Sequence, residues 1–110
     1  MLRGLAAPDE QGRRACRFEG EPYGAPISLF VDDDAAGEGP RLHRHPYAET
    51  FVVHAGQARF TVGDEQLDAA AGDLLVVPAG APHRFVAVGS ERLRLVAIHG
   101  APRMETEWLE

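Results

Sequence analysis

Lysine and asparagine are missing from this chain, so all eleven of its basic residues are arginine. Both absent residues have A-rich codons, and their loss reads as the coding bias of a GC-rich genome rather than as chemistry. The eleven arginines stand against seventeen aspartates and glutamates, giving a formal net charge of −6. A basic face is what phosphate binding requires, so nucleic acid is excluded as an expected partner. The single cysteine, Cys16, can form no bridge within the chain, and one free thiol of ordinary character fits a reducing compartment. No apolar run approaches the ~20 residues that cross a bilayer. The opening stretch "MLRGLAAPDEQGRR" is interrupted by Pro8, Asp9 and Glu10 before it reaches signal-peptide length. A cytoplasmic protein without a membrane partner is therefore expected.

Helical periodicity is also missing from Ile27 onward. In its place come short apolar segments separated by turn signals: "ISLFV" (27–31), "ETFVVHAG" (49–56), "QARFTV" (57–62), "DLLVVPAG" (73–80), "HRFVAVG" (83–89) and "RLRLVAIHG" (92–100). Many short strands rich in Val and Phe predict an all-β sandwich or barrel. The chain's 110 residues suit a single domain able to bury a core without disulfides. Residues 1–25, mixed and aperiodic, are expected to form an N-terminal extension that adds an edge strand or reaches a partner subunit. The acidic run "DDDAAGEGP" after Val31 reads as a polar loop. The tail 103–110 is expected to pack Trp108 and Leu109 on the barrel exterior or on a partner. In the last strand Arg92 and Arg94 alternate with Leu93 and Leu95, which turns Leu93, Leu95, Ala97 and His99 inward.

The chemistry concentrates in "RLHRHPYAET", residues 41–50. Residues two apart on a strand project from one face, so His43 and His45 point the same way, about 7 Å apart. Pro46 favours a bend that lets Glu49 swing back towards both imidazoles. Two histidines and a carboxylate form a nitrogen–oxygen set suited to Fe, Mn, Ni, Cu or Zn. A second segment, "GDLLVVPAGAPHRF" (72–85), places His83 at the start of a strand, from which a closed barrel could bring it to the same point.

These two segments resemble the motifs of the cupin family. The first, G-x5-H-x-H-x3-4-E-x6-G, is matched at Gly37, His43, His45, Glu49 and Gly56. The second, G-x5-P-x-G-x2-H-x3-N, is matched at Gly72, Pro78, Gly80 and His83, with Ala87 where the family usually carries Asn. The spacer, residues 57–71, is the short one of small bacterial cupins. The resemblance covers roughly residues 26–100. It implies a double-stranded β-helix, the cupin jelly-roll barrel, over residues 26–102. It also implies one divalent metal ion (Fe, Mn, Ni, Zn or Cu) held by His43, His45, Glu49 and His83.

A six-coordinate ion with those four ligands keeps two positions open, the mark of a catalytic rather than a structural site. Strand parity adds candidates for the pocket wall: Arg41, Tyr47, Phe51, Val53, Phe85 and Ala87. His99 is a candidate to orient a ligand or to act as acid or base, and His54 has the opposite parity and should lie outside. Three functions follow as expectations. The first is a mononuclear metal-dependent enzyme of dioxygenase type acting on a small organic substrate. The second is a metal-dependent isomerase or lyase, and the third a non-catalytic small-molecule binding or sensing module. A homodimer is expected from the resemblance and from the open sheet edges of a sandwich.

Overall fold

The structure, a computed structural model, describes residue 10 and residues 12–110; residues 1–9 and 11 of the expected N-terminal extension lie outside the described residues. Ten strands form among the described residues: β1 (Cys16–Glu19), β2 (Ser28–Asp34), β3 (His43–Arg44), β4 (Glu49–Ala55), β5 (Gln57–Val62), β6 (Glu65–Ala70), β7 (Leu74–Val77), β8 (His83–Val88), β9 (Leu93–His99) and β10 (Glu107–Trp108). A single 3-10 turn, Glu21–Tyr23, is the only helical element among the described residues. The strands assemble into two five-stranded sheets, β1-β2-β9-β4-β7 and β10-β3-β8-β5-β6, and every pairing is antiparallel. Face to face they make the jelly-roll barrel.

The interior is built in rungs set by strand register. In the first sheet Phe30, Ala97, Phe51 and Leu75 share a rung, and Asp32, Leu95 and Val53 share the next. In the second sheet Phe60 pairs with Phe85, and Ala58 pairs with Ala87. Three phenylalanines interlock edge to face at the centre: the Phe51–Phe60 and Phe51–Phe85 ring centroids lie 5.0 and 5.7 Å apart. Burying side chains of this size contributes roughly 1.5–3 kcal/mol each. This cluster, with Leu93 and Leu95, gives the barrel a continuous apolar core.

Three features differ from the sequence reading. Strand β2 continues through the acidic run instead of ending at Val31. Asp33 faces Arg94 across the β2–β9 pairing, and its carboxylate accepts a 2.6 Å hydrogen bond from Arg92 Nε, so this one aspartate of the run is paired by arginines at the start of β9. Strand β6 carries almost no apolar signal, because five of its six residues are exposed. The tail does not merely coat the exterior: Glu107 and Trp108 pair with Arg44 and His43 as β10.

Candidate metal centre

One polar rung crosses the barrel. On the first sheet it holds Ser28, His99 and Glu49, opposed by the β2–β9 and β9–β4 registers. On the second sheet Trp108, His43 and His83 stand opposite one another through the β10–β3 and β3–β8 registers. His45 follows two residues after His43, on the same face. Antiparallel pairing thus gathers residues 40 or more positions apart. His43, His45, Glu49 and His83 are all buried, and their ligand atoms lie within 4.8 Å of one another.

Backbone carbonyls fix the ring orientations. Nδ1–H of His43 donates to Arg41 O (2.6 Å), that of His45 to Glu105 O (2.7 Å), and that of His83 to Ala81 O (2.9 Å). Each Nε2 is thereby left as the free nitrogen, turned inward, the arrangement that supports metal-binding histidines. His83 Nε2 stands 2.9 Å from Glu49 Oε1, and His45 Nε2 stands 3.0 Å from the same oxygen. His45 Nε2 is fully buried with no hydrogen-bond partner. Rings already donating through Nδ1 present lone pairs to a carboxylate that also has only lone pairs. A shared cation resolves that opposition, and an imidazole–carboxylate donor set suits a borderline divalent ion.

His99 is held the other way round. The backbone N–H of Glu105 donates to the Tyr47 hydroxyl (3.2 Å), and that hydroxyl donates to His99 Nδ1 (2.5 Å). His99 therefore carries its hydrogen on Nε2, 3.1 Å from Glu49 Oε2 though off line for a hydrogen bond. It faces the carboxylate through an N–H rather than as a fifth donor.

Burial works against ionised Glu49, but the close approach of His45, His83 and His99 to its two oxygens outweighs it and holds the carboxyl below its usual range. Burial also lowers His43, helped by the neighbouring His83 and His45, so this ring stays neutral. For His45, burial is overcome by the nearby Glu49 carboxylate and the hydrogen bond to the Glu105 carbonyl, and its pKa rises.

A cavity of about 520 Å³ opens onto the rung, walled by Phe30, Phe85, Ala97 and Trp108 and floored by His43, His45, Glu49 and His99. Of the expected wall residues, Phe85 lines it. Phe51, Val53 and Ala87 are buried in the apolar core behind it instead, because parity placed them inside but not at the open end. Arg41 is exposed and turned outward, its guanidinium 5.0 Å over the Trp108 ring rather than in the cavity. Tyr47 lies beside His45 and His99, serving the ligands rather than the cavity wall. His54 is exposed.

Ala87, at the usual Asn position, acts through its backbone: its N–H donates to Glu38 O and its carbonyl accepts from Gly37 N–H (both 2.8 Å). This seats the 37–40 loop on β8 so closely that a Cβ on Gly39 would collide with the Phe85 carbonyl.

Sequence reasoning missed Asp32, Trp108 and the Glu105 carbonyl. Asp32 shared inward parity with Phe30, a signal that was available. The tail carried none, since a two-residue strand has no period.

A barrel of two antiparallel sheets enclosing three histidines and a glutamate is the architecture of a small metal-site jelly roll. Residues 30–99 match the cupin domain, and the chain belongs to the cupin family. An uncharacterised protein of Streptomyces coelicolor is 38% identical over 76 residues, which is 69% of this chain and 70% of that protein. Among solved structures, the formate complex of Lactobacillus farciminis oxalate decarboxylase superposes with a TM-score of 0.78 at 23% identity, covering 87% of this chain and 31% of that one. A conserved Streptococcus pyogenes protein of unknown function gives a TM-score of 0.65 at 24% identity, covering 73% of this chain and 68% of the other. The chain thus spans about a third of the length of the decarboxylase, and the likeness to it is one of fold.

Proposed function

We propose that this cupin is a mononuclear metal-dependent enzyme acting on a small organic substrate, with dioxygenase-type oxidation as its first chemistry to test. The observation that carries the reading is the set of three buried imidazoles, each locked by a backbone carbonyl, converging with ionised Glu49 on one point beside an open cavity. A divalent ion held by His43, His45, Glu49 and His83 would supply Lewis acidity and, if iron or copper, redox chemistry with O₂. The chain's own residues do the rest. Glu49 offsets half of the ion's charge, and His99, held by Tyr47, stands 3.1 Å from its second oxygen. Phe30, Phe85 and Trp108 exclude bulk water from a substrate lying over the rung.

A second reading, a metal-dependent isomerase or lyase that needs no O₂, has the decarboxylases of the same fold in its favour. The two separate in one experiment. Protein reconstituted anaerobically with Fe(II), Mn(II) or Ni(II) is supplied with a substrate panel, with and without O₂. Oxygen consumption coupled to product supports the dioxygenase. Anaerobic turnover supports the isomerase or lyase. Saturable binding without product under any metal assigns the chain to the non-catalytic binding modules and contradicts the enzyme reading.

A further inference from the structure

The wall of the cavity opposite the histidines is acidic. Asp32 and Asp34 project into it from β2 and Glu38 from the following loop, and no arginine lines it among the described residues. Glu38 is partly engaged, since its carboxylate accepts from Ala35 N–H (2.6 Å). Asp34 feels Glu38 and Asp33, offset by Arg92 and Arg13. Asp32 has no such relief: it makes no hydrogen bond or ion pair among the described residues, and the charges acting on it, Asp34 and Glu49, are both negative. Burial, reinforced by those two charges, pushes its carboxyl up to about 7. At the floor of the same cavity His45 Nε2 and His99 Nε2, in side chains 4% and 2% exposed, lack hydrogen-bond partners. One end of the cavity therefore holds an unpaired imidazole lone pair, on His45, and the other lacks positive charge.

We propose that the cavity takes an elongated organic substrate bearing an ammonium group, its metal-binding end at the histidine rung and its cationic end against Asp32. This rests on the metal-dependent reading and adds a substrate class to it. An ion with Glu49 leaves about one positive charge at the rung, which accepts an oxygen donor. Four residues of β2 separate Asp32 from the rung of Ser28, about 13 Å of strand, part of which the side chains close. A terminal ammonium supplies the charge and the donors that Asp32 lacks, whereas a second carboxylate at that end meets Asp32 and Asp34 as a like charge.

The test uses the full chain loaded with Zn(II) at about pH 8, where Asp32 is ionised and an alkylamine still protonated. Three probes share one carboxylate head and one chain length and differ in the far end: 6-aminohexanoate, 6-hydroxyhexanoate and adipate. Calorimetric titration is expected to rank them in that order. The amine should bind about tenfold tighter than the alcohol, and Asp32→Asn should remove its advantage while leaving the alcohol unchanged. Equal affinities, tightest binding of adipate, or no binding of the amine overturns the inference, and the wild-type ranking decides this even if the variant folds poorly. A second zinc equivalent, lost in Asp32→Asn, would show that the wall holds a metal ion and overturns it as well. Zinc content of the same samples separates the two levels: loaded protein without amine preference contradicts this inference alone, and a chain that takes no zinc contradicts both.

Discussion

Glu49 touches three imidazoles with two oxygens, and so concentrates the electrostatics of the site in one side chain. Glu49→Gln keeps the shape but removes the charge, and metal affinity measured by chelator competition should fall further than in Tyr47→Phe. Tyr47 supports the ligands only indirectly, through its bond to His99 and its stacking on the His45 ring, and the loss of such a supporting contact costs roughly 10–100-fold. Because binding needs neutral imidazoles, affinity should decline as pH falls, with His45 protonating before His43, given its raised pKa. Asp32 works in the opposite sense. Its folded pKa lies above the unfolded carboxylate value, so its ionisation destabilises the fold progressively from about pH 4 to 7, and the penalty stays in full above that. Asp32→Asn should therefore stabilise the protein at pH 8 by on the order of 1–2 kcal/mol and hardly at all at pH 4, read as thermal midpoints. At this scale the four donors were legible, since their spacing is the motif. The Tyr47–His99 bond was not, because it joins a loop to a strand 52 positions away and leaves no mark on either segment.

Strand parity explains both what could be read and what could not. In β9 the alternation of Arg92 and Arg94 with Leu93 and Leu95 fixed the inward set, and Leu93, Leu95, Ala97 and His99 are at most 2% exposed. The same rule applied to Phe51, Val53 and Ala87 gave the correct face but not the position along the barrel axis. Only register distinguishes the apolar core from the open end. Strand β10 lies beyond any such rule, yet it delivers Trp108 to within 5.1 Å of the His43 ring, and the Glu105 carbonyl just before it holds His45. A chain ending at Met104 should retain the barrel's β signature by circular dichroism while binding metal at least tenfold more weakly. Retained affinity would show that the tail only covers the site. Trp108 is the sole tryptophan, so its fluorescence reports metal arrival in the full chain directly.

The whole molecule has two unlike outer surfaces. The second sheet shows water the Arg59–Asp68 ion pair, Arg84 and Gln66. The first shows two rungs without a charge: Leu29, Ile98, Thr50 and Val76, then Val31, Val96, Val52 and Leu74. An antiparallel sheet with one face to water ordinarily alternates to polar residues there. We propose that a second copy of the chain covers this face, because copies of net charge −6 can approach without opposing carboxylates only where none is present. Light scattering should give a dimer that Val52→Glu dissociates and Thr61→Glu, on the other sheet, does not. A wild-type monomer at all concentrations contradicts the proposal. The central claim, that the polar rung exists to hold a metal, has a more direct test: elemental analysis of untagged protein purified without added metal, beside His83→Ala. The account predicts close to one divalent ion per chain in the wild type and its loss in the variant, with the fold kept. Equal metal in both, or none in either with no binding on reconstitution, would contradict it.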